Sequence, residues 1–211
     1  EYFLSANPYS LLPNPYLMHH IYHTEAIILE SKNRGEANRS FTLFTRDLGV
    51  IYAQAQGVRH LKSKLRYALQ DMNLVKVDLV RGKEVWRITS ATWIHSYDDI
   101  KKINHTFACV VKISQLLKRL CAGEGENTPL YEKFKAGLSF FEKNNFTMEE
   151  IADAEVALVL SLLYELGYVE KTHITNPFIG TLFDHEIISK VRPIKKALVA
   201  EVNRGIHESH M

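Results

Sequence analysis

The 211-residue chain contains only two cysteines and no long apolar run. Two thiols are too few for a disulfide framework or a four-thiolate zinc site. Both lie in one predicted helix, where a rise of 1.5 Å per residue separates Cys109 from Cys121 by about 18 Å, too far for a disulfide. Free thiols are typical of a reducing compartment, so we expect a cytoplasmic protein. No apolar run approaches the roughly 18 residues of a membrane span, so no membrane partner is expected.

The first residues lack the features of a signal peptide. Residues 1–17 have no basic start, contain three prolines and begin with Glu instead of Met. We expect Met18 to be the natural start and residues 1–17 to be an extension.

Signatures of catalysis are also missing. The chain has no Walker A loop, no G-x-G-x-x-G after a strand, no H-E-x-x-H and no G-x-S-x-G. A nuclease usually places several carboxylates beside a basic groove to hold metal ions. No such cluster occurs in the basic half of the chain. We therefore predict a protein that is not an enzyme, with no catalytic residue and no cofactor.

Acidic residues are absent from one stretch of the chain. Residues 48–70 contain no Asp or Glu, and within them GVRHLKSKLR carries Arg59, Lys62, Lys64 and Arg66. Solvated surfaces usually carry charges of both signs, so the missing acids are unusual for such a surface. An ordinary surface loop is the alternative interpretation. A phosphate backbone needs several cations in reach of successive phosphates and no competing carboxylate. The stretch therefore predicts a binding site for a polyanion.

Charge divides the chain into two parts. Residues 18–95 hold twelve Lys and Arg against seven Asp and Glu, a net charge of +5, whereas residues 96–211 hold fourteen against sixteen, a net charge of −2. This asymmetry favours two domains with different tasks. We place the first domain at residues 18–97 and the second at residues 98–211.

The first domain has the pattern of a small β-barrel. Strands are predicted at 24–31, 39–45, 50–56, 73–83 and 85–95. In the third of these, alternation points Ala53 and Ala55 inward and Tyr52, Gln54 and Gln56 outward. Five strands with a longer connection after the third predict an OB-fold barrel. An SH3-like barrel has similar strand content and is the alternative.

The second domain has helical periodicity, so the fold class is α+β. Four helices are predicted, at 98–120, 129–143, 148–166 and 184–204. Asp98 is expected to cap the first helix, and Thr147 with Glu150 matches a capping box for the third. The third helix is apolar nearly all round and should form the centre of a bundle. Pro193 should kink or split the last helix, and residues 168–183 should form a loop.

Three side chains outside the acid-free stretch are also candidates for binding. An outward Tyr52 can stack on a nucleobase, or it can pack against the helical domain. Arg34 and Arg39, around the first turn of the barrel, can extend a basic groove. The alternative is that Glu36 pairs with one of these arginines.

Histidines are frequent near the expected start at Met18, but they do not form a set of metal ligands. His19, His20 and His23 have no nearby acid or thiol to complete the ligands, and neither do His207 and His210 at the other end. We predict no metal site.

The order of motifs in the first domain closely resembles that of the RecO family of bacterial DNA repair proteins. The resembling stretch runs from TEAIILES through NRGEANRSFTLFTRDLG to QGVRHLKSKLRYALQ, over some fifty residues. LLYELGY at residues 162–168 is a weaker similarity in the helical half. Many members of the family carry a four-cysteine zinc motif just after that helix. The matching stretch here, YVEKTHITNPFIG, has His173 and no cysteine, so zinc is not implied.

This resemblance implies an OB-fold followed by a helical domain, in a recombination mediator located with the nucleoid. It implies binding of single- and double-stranded DNA, annealing of complementary strands, and, with RecR, loading of RecA onto DNA coated by single-strand-binding protein. The predicted DNA-binding residues are Arg34, Arg39, Tyr52, Arg59, Lys62, Lys64 and Arg66.

Three other functions are compatible with the sequence. A nucleic-acid chaperone acting on RNA would differ in its response to the 2′-hydroxyl, which competition between DNA and RNA detects. A protein adaptor would act through its helical half. A nuclease without a recognisable motif would cleave labelled DNA in the presence of magnesium or manganese.

Overall fold

The structure is a computed structural model that describes residues 20–121, 123–179 and 184–209. The predicted extension at residues 1–17 lies outside these ranges, as do His19 and His210. The described strands are β1 (Ile21–Arg34), β2 (Asn38–Thr45), β3 (Gly49–Ala55), β4 (Asn73–Arg81) and β5 (Trp86–Ser96). The described helices are α1 (Leu65–Ala68), α2 (Asp98–Lys102), α3 (Asn104–Leu120), α4 (Thr128–Lys143), α5 (Met148–Glu165) and α6 (His185–Glu208), with a 3-10 turn at Asn176–Phe178.

The strands close into a barrel in the order β1-β2-β3-β5-β4. All neighbours are antiparallel except β3 and β5, which pair in parallel over only two positions, Ala53 with Trp86 and Gln54 with Arg87. The long connection between β3 and β4 lies beside this short closure. This is the strand order of an OB-fold barrel, so the predicted α+β class with an OB-fold followed by helices is confirmed.

The alternation predicted for β3 is confirmed by burial. Ala53 and Ala55 lie in the barrel core, and Tyr52 is 62% exposed. The barrel interior is filled by apolar side chains of all five strands, among them Ile28, Phe41 and Leu79. Small residues at positions 53 and 55 leave room for these larger side chains inside a tightly curved sheet.

A second core joins the barrel to the helices. Phe44, on the outer face of β2, lies 5.4 Å from the ring of Tyr131 and 5.8 Å from the ring of Phe134, both in α4. The central helix α5 buries residues on nearly every side, as its composition predicts. Thr147 and Glu150 form the predicted capping box at its start. This shared core fixes the barrel against the helices through its outer surface.

The helices differ from the prediction in several places. The short helix α1 was not predicted, and α6 extends to Glu208, beyond its predicted end at residue 204. The segment predicted as one helix over 98–120 breaks at Ile103, which is extended, and Tyr97, not Asp98, occupies the cap position. Asp98 instead lies in the first turn, where its carboxylate is 2.7 Å from the ammonium of Lys101. The last helix is kinked at Ile194, directly after Pro193, as expected. None of the helices in the described ranges is long and apolar enough to cross a bilayer.

Candidate nucleic-acid interface

The connection between β3 and β4, residues 57–70, carries the four predicted cations and forms a basic connection. It is held to the barrel at both ends. Val58 at its start and Leu69 at its end are buried in the barrel core. The backbone N–H of Arg59 donates to the carbonyl of Ala37, at 3.0 Å. The basic connection is therefore held in a fixed conformation on the barrel surface.

Gly57 lets the chain leave β3 sharply. Its φ of +66° lies in the left-handed region, which side chains other than glycine rarely adopt. Its backbone N–H donates to Oδ1 of Asn38, at 3.0 Å. The turn directs the following residues away from β3.

The four cations of the basic connection lie in solvent. Arg59, Lys62, Lys64 and Arg66 are exposed, and none of them forms an ion pair with a carboxylate in the described ranges. Arg59 donates from Nη1 to the carbonyl of Gly35, at 2.9 Å, which does not neutralise its charge. Four uncompensated cations on one fixed segment produce a positive field that attracts polyanions.

Cations elsewhere in the described ranges are less uniform, since some, such as Lys83 and Arg87, are also exposed without an ion pair. Many exposed ones pair with a neighbouring acid, as Lys102 does with Asp99 and Lys190 does with Glu186. Such faces are ordinary solvated surfaces of mixed charge. The basic connection has no acid of its own to pair with, since residues 48–70 contain no Asp or Glu.

A groove of about 410 Å³ lies on the outer face of the barrel. Its walls include Lys32, Arg34, Ser40, Thr42, Tyr52 and Lys118. The first five belong to β1, β2 and β3, and Lys118 belongs to α3. Since Tyr52 is 62% exposed, its ring is available for stacking and is not packed against the helices. Arg59 connects the groove to the basic connection through its contact with Gly35, the residue after Arg34.

One acid, Glu30, also lines this groove. Its carboxylate lies 2.6 Å from Nζ of Lys118 and 2.9 Å from Nζ of Lys32. These two hydrogen bonds hold the pKa of Glu30 below its ordinary value of 4.5. Glu30 is thus ionised at neutral pH and occupies two cations that a phosphate would otherwise contact.

The structure separates the two arginines that the sequence treats alike. Arg34 lines the groove. Arg39 points to the other face of β2, where it donates to Ser31 and lies 5.7 Å from the ring centroid of Phe41. Ser31 in turn donates to Asp71. Arg39 therefore belongs to a side-chain network at the mouth of the barrel, and Glu36 forms no ion pair with either arginine among the described contacts.

Two cations of the groove were missed by reasoning from the sequence. Lys32 alternates with Glu30 and Arg34 along β1, so the two-residue period of a strand was a usable signal. Lys118 reaches the groove from a helix 88 residues further along the chain. No local sequence pattern predicts such a contact.

Metal ligation has no support in the described ranges, where no group of three or more His, Cys, Asp or Glu side chains is arranged to hold an ion. His20 packs edge-on against Tyr22, with ring centroids 4.5 Å apart, and His23 pairs with Asp78 at 2.6 Å. Burial raises the pKa of the Cys109 thiol to about 12, which keeps it protonated.

Comparison with known proteins gives a consistent result. The family model described as "Recombination protein O N terminal" matches residues 18–97. A DNA repair protein RecO of Caldanaerobacter subterraneus is 29% identical over 151 residues, which cover 69% of this chain and 58% of the relative. A DNA repair protein RecO of Dehalococcoides mccartyi is 31% identical over 132 residues, covering 63% and 51% respectively. The chain thus spans little more than half the length of these two relatives.

Proposed function

We propose that the chain is a member of the RecO family and that it is a recombination mediator in DNA repair which binds single- and double-stranded DNA. The observation that carries the proposal is the basic connection, where four exposed cations are fixed on the barrel without a described acidic partner. Such an arrangement suits the evenly spaced phosphates of a nucleic acid. Residues 18–97 are the proposed DNA-binding domain, and residues 98–211 are the proposed helical domain.

The proposed site combines two kinds of contact. Arg59, Lys62, Lys64 and Arg66 contact phosphates, which sets affinity without reading sequence. In the adjoining groove, Arg34 contacts the backbone, and Tyr52 stacks on a base. Base stacking on an exposed aromatic ring tolerates any sequence, because every base has a π-face. Arg39 is the member of the proposed set with the weakest support, since its side chain is tied to Ser31.

Annealing follows from the same charges. Two complementary strands repel each other through their phosphates, and a basic face that binds both offsets this repulsion. Contacts to phosphates leave the base edges free to pair. We propose that the protein accelerates annealing in this way without nucleotide hydrolysis. With RecR it would then assist the loading of RecA on DNA coated by single-strand-binding protein, a role supported by the family resemblance alone.

The test is an annealing assay with complementary oligonucleotides, with and without their single-strand-binding protein, over a series of salt concentrations. We expect duplex formation to accelerate equally with and without ATP, and to slow at high salt together with binding. Tight binding with no gain in annealing rate at any salt concentration would contradict the mediator proposal and favour a nucleic-acid chaperone or an adaptor. Cleavage of the DNA with magnesium or manganese would indicate a nuclease instead.

A further inference from the structure

Two large apolar side chains on the basic connection lie almost entirely in solvent. Leu61 is 83% exposed and Tyr67 is 77% exposed, the two highest values among the large apolar side chains of the described ranges. Isolated apolar residues are common on protein surfaces. Here, however, both occur among the four unpaired cations, within a segment of fourteen residues.

The other apolar residues of the segment are used for packing. Val58, Ala68 and Leu69 are buried in the barrel core, and Leu65 packs partly against it. These contacts already attach the basic connection to the barrel. Leu61 and Tyr67 are therefore on the side that the attachment leaves facing outward.

Hydrogen bonds hold both residues in this orientation. On either side of Leu61, the N–H of His60 donates to the carbonyl of Gly57 at 3.2 Å, and the N–H of Ser63 donates to the carbonyl of His60 at 3.0 Å. The buried Asn73 side chain donates to the carbonyls of Tyr67, at 3.1 Å, and Ala68, at 2.9 Å. The backbone at each site is thus set in a shape that presents an apolar side chain to solvent.

The charge around these two side chains indicates which class of binding partner they contact. A protein partner of ordinary surface composition would meet four cations and no acid, whereas a nucleic acid supplies phosphates for the cations and base faces for the apolar groups. Leucine is among the apolar side chains that proteins insert between base steps, and tyrosine is a common stacking surface. In an intact duplex the base faces are covered by their neighbours, so such contacts favour bases that are already unstacked.

Building on the proposed function, we propose that Leu61 and Tyr67 contact nucleobases, Leu61 as a wedge between bases and Tyr67 as a stacking surface. The basic connection thereby prefers single strands and single-strand–duplex junctions over intact duplex. The phosphate contacts provide the general affinity, and these two side chains provide the preference among DNA structures.

The test compares the wild-type chain with the double variant Leu61→Ser/Tyr67→Ser on three DNA ligands: a single strand, a fully paired duplex and a duplex with a single-stranded tail. Affinities are measured over a salt series. We expect the double variant to lose about tenfold in affinity for the single strand and the tailed duplex, with little change for the paired duplex. The salt slope should be unchanged, because no phosphate contact is removed.

Three controls sharpen the comparison. Met148→Ser removes a similarly exposed apolar side chain, 73% exposed, from the start of α5 and should have no effect. Tyr67→Phe keeps the ring and should retain wild-type affinity. The wild type should bind a single strand with abasic sites more weakly than a normal single strand. The double variant should bind these two strands equally well.

The outcomes separate this inference from the proposed function. A wild-type chain that binds no DNA overturns both. Wild-type binding with a clear salt slope, combined with no effect of the double substitution on any ligand, overturns only the base contacts. An equal loss on all three ligands also overturns them, because it indicates a general contribution without preference for unstacked bases.

Discussion

The ammonium of Lys118, in α3, lies 2.6 Å from a carboxylate oxygen of Glu30, in β1, across the boundary between the helices and the barrel. Lys32 pairs with the same carboxylate from along the strand, at 2.9 Å. This arrangement brings a cation of the helical part to the edge of a groove on the barrel. It also places a negative charge where the proposed function requires a phosphate.

Glu30 should therefore act as an internal competitor of DNA. Glu30→Gln releases Lys118 and Lys32, so we expect tighter DNA binding. The dependence of log affinity on log salt should steepen by up to about 0.7 to 0.9 for each freed cation that reaches a phosphate. Glu186→Gln, which removes an acid paired with Lys190 in α6, is the control for net charge. Equal affinity of wild type and Glu30→Gln at every salt concentration would exclude a DNA path through the groove.

The basic connection should carry most of the salt-dependent affinity. Replacing Arg59, Lys62, Lys64 and Arg66 together with Ala should weaken binding about equally for all DNA sequences. It should flatten the salt dependence by about 0.7 to 0.9 per lost phosphate contact. The matched control removes four cations from the helical part, at Lys102, Lys143, Lys190 and Arg204. An unchanged salt slope in a folded quadruple variant, measured by fluorescence anisotropy, would rule out this site.

Low pH should weaken the contact between the barrel and the helices, because it protonates Glu25. Its Oε1 accepts from Nζ of Lys135 at 2.8 Å and from the hydroxyl of Tyr131 at 3.0 Å. Burial alone would raise the pKa of Glu25, but these hydrogen bonds outweigh burial and leave the pKa below 4.5. A carboxyl with a lowered folded-state pKa stabilises the protein above its unfolded-state pKa, and this contribution is lost as pH falls through the folded-state value.

We therefore expect the melting temperature to fall as the pH decreases from about 5 to about 3. Glu25→Gln should be less stable than wild type at pH 7 and should show a shallower decline in acid. Glu84→Gln, which changes an exposed acid with no ion pair among the described contacts, should follow the wild-type profile. Thermal unfolding followed by circular dichroism provides the measurement, and parallel curves for wild type and Glu25→Gln would refute the assignment.

Adding a single methyl group at Gly137 should destabilise the contact between α4 and α5. A Cβ at Gly137 would lie 2.6 Å from Cδ2 and 2.9 Å from Cδ1 of Leu158, which is fully buried. Overpacking a core costs about 1–3 kcal/mol, which exceeds the gain of up to about 1 kcal/mol from placing Ala instead of Gly in a helix. Gly137→Ala should thus lower the melting temperature by a few degrees. Gly125→Ala, where a Cβ meets nothing within 4 Å, is the control.

The purified, untagged protein should contain less than stoichiometric zinc. The segment 168–180, where the family resemblance places a zinc motif, contains His173 and no cysteine. Elemental analysis measures the metal content directly. Stoichiometric zinc whose chelation unfolds the protein would contradict this prediction.

Local patterns in the sequence were sufficient to predict much of the fold. The alternation around Tyr52, the capping box at Thr147 and the kink after Pro193 each depend on residues a few positions apart, which is the range over which strand pairing, capping and proline geometry act. The acid-free run of cations is equally local. For this reason the five strands, most helix bounds and the exposed basic connection were predicted from composition and spacing.

Other features depend on where distant segments meet, and only the tertiary structure decided them. The break at Ile103 interrupts a segment whose composition favours one continuous helix. The different positions of Arg34 and Arg39 follow from the direction of side chains on opposite faces of adjacent strands. The pairing of Lys118 with Glu30 joins residues 88 positions apart. The sequence alone determined which segments form strands and helices and where the unbalanced charge lies, because these depend on neighbouring residues. Which cations share a groove, and which acid competes with them, was decided by packing the barrel against the helices.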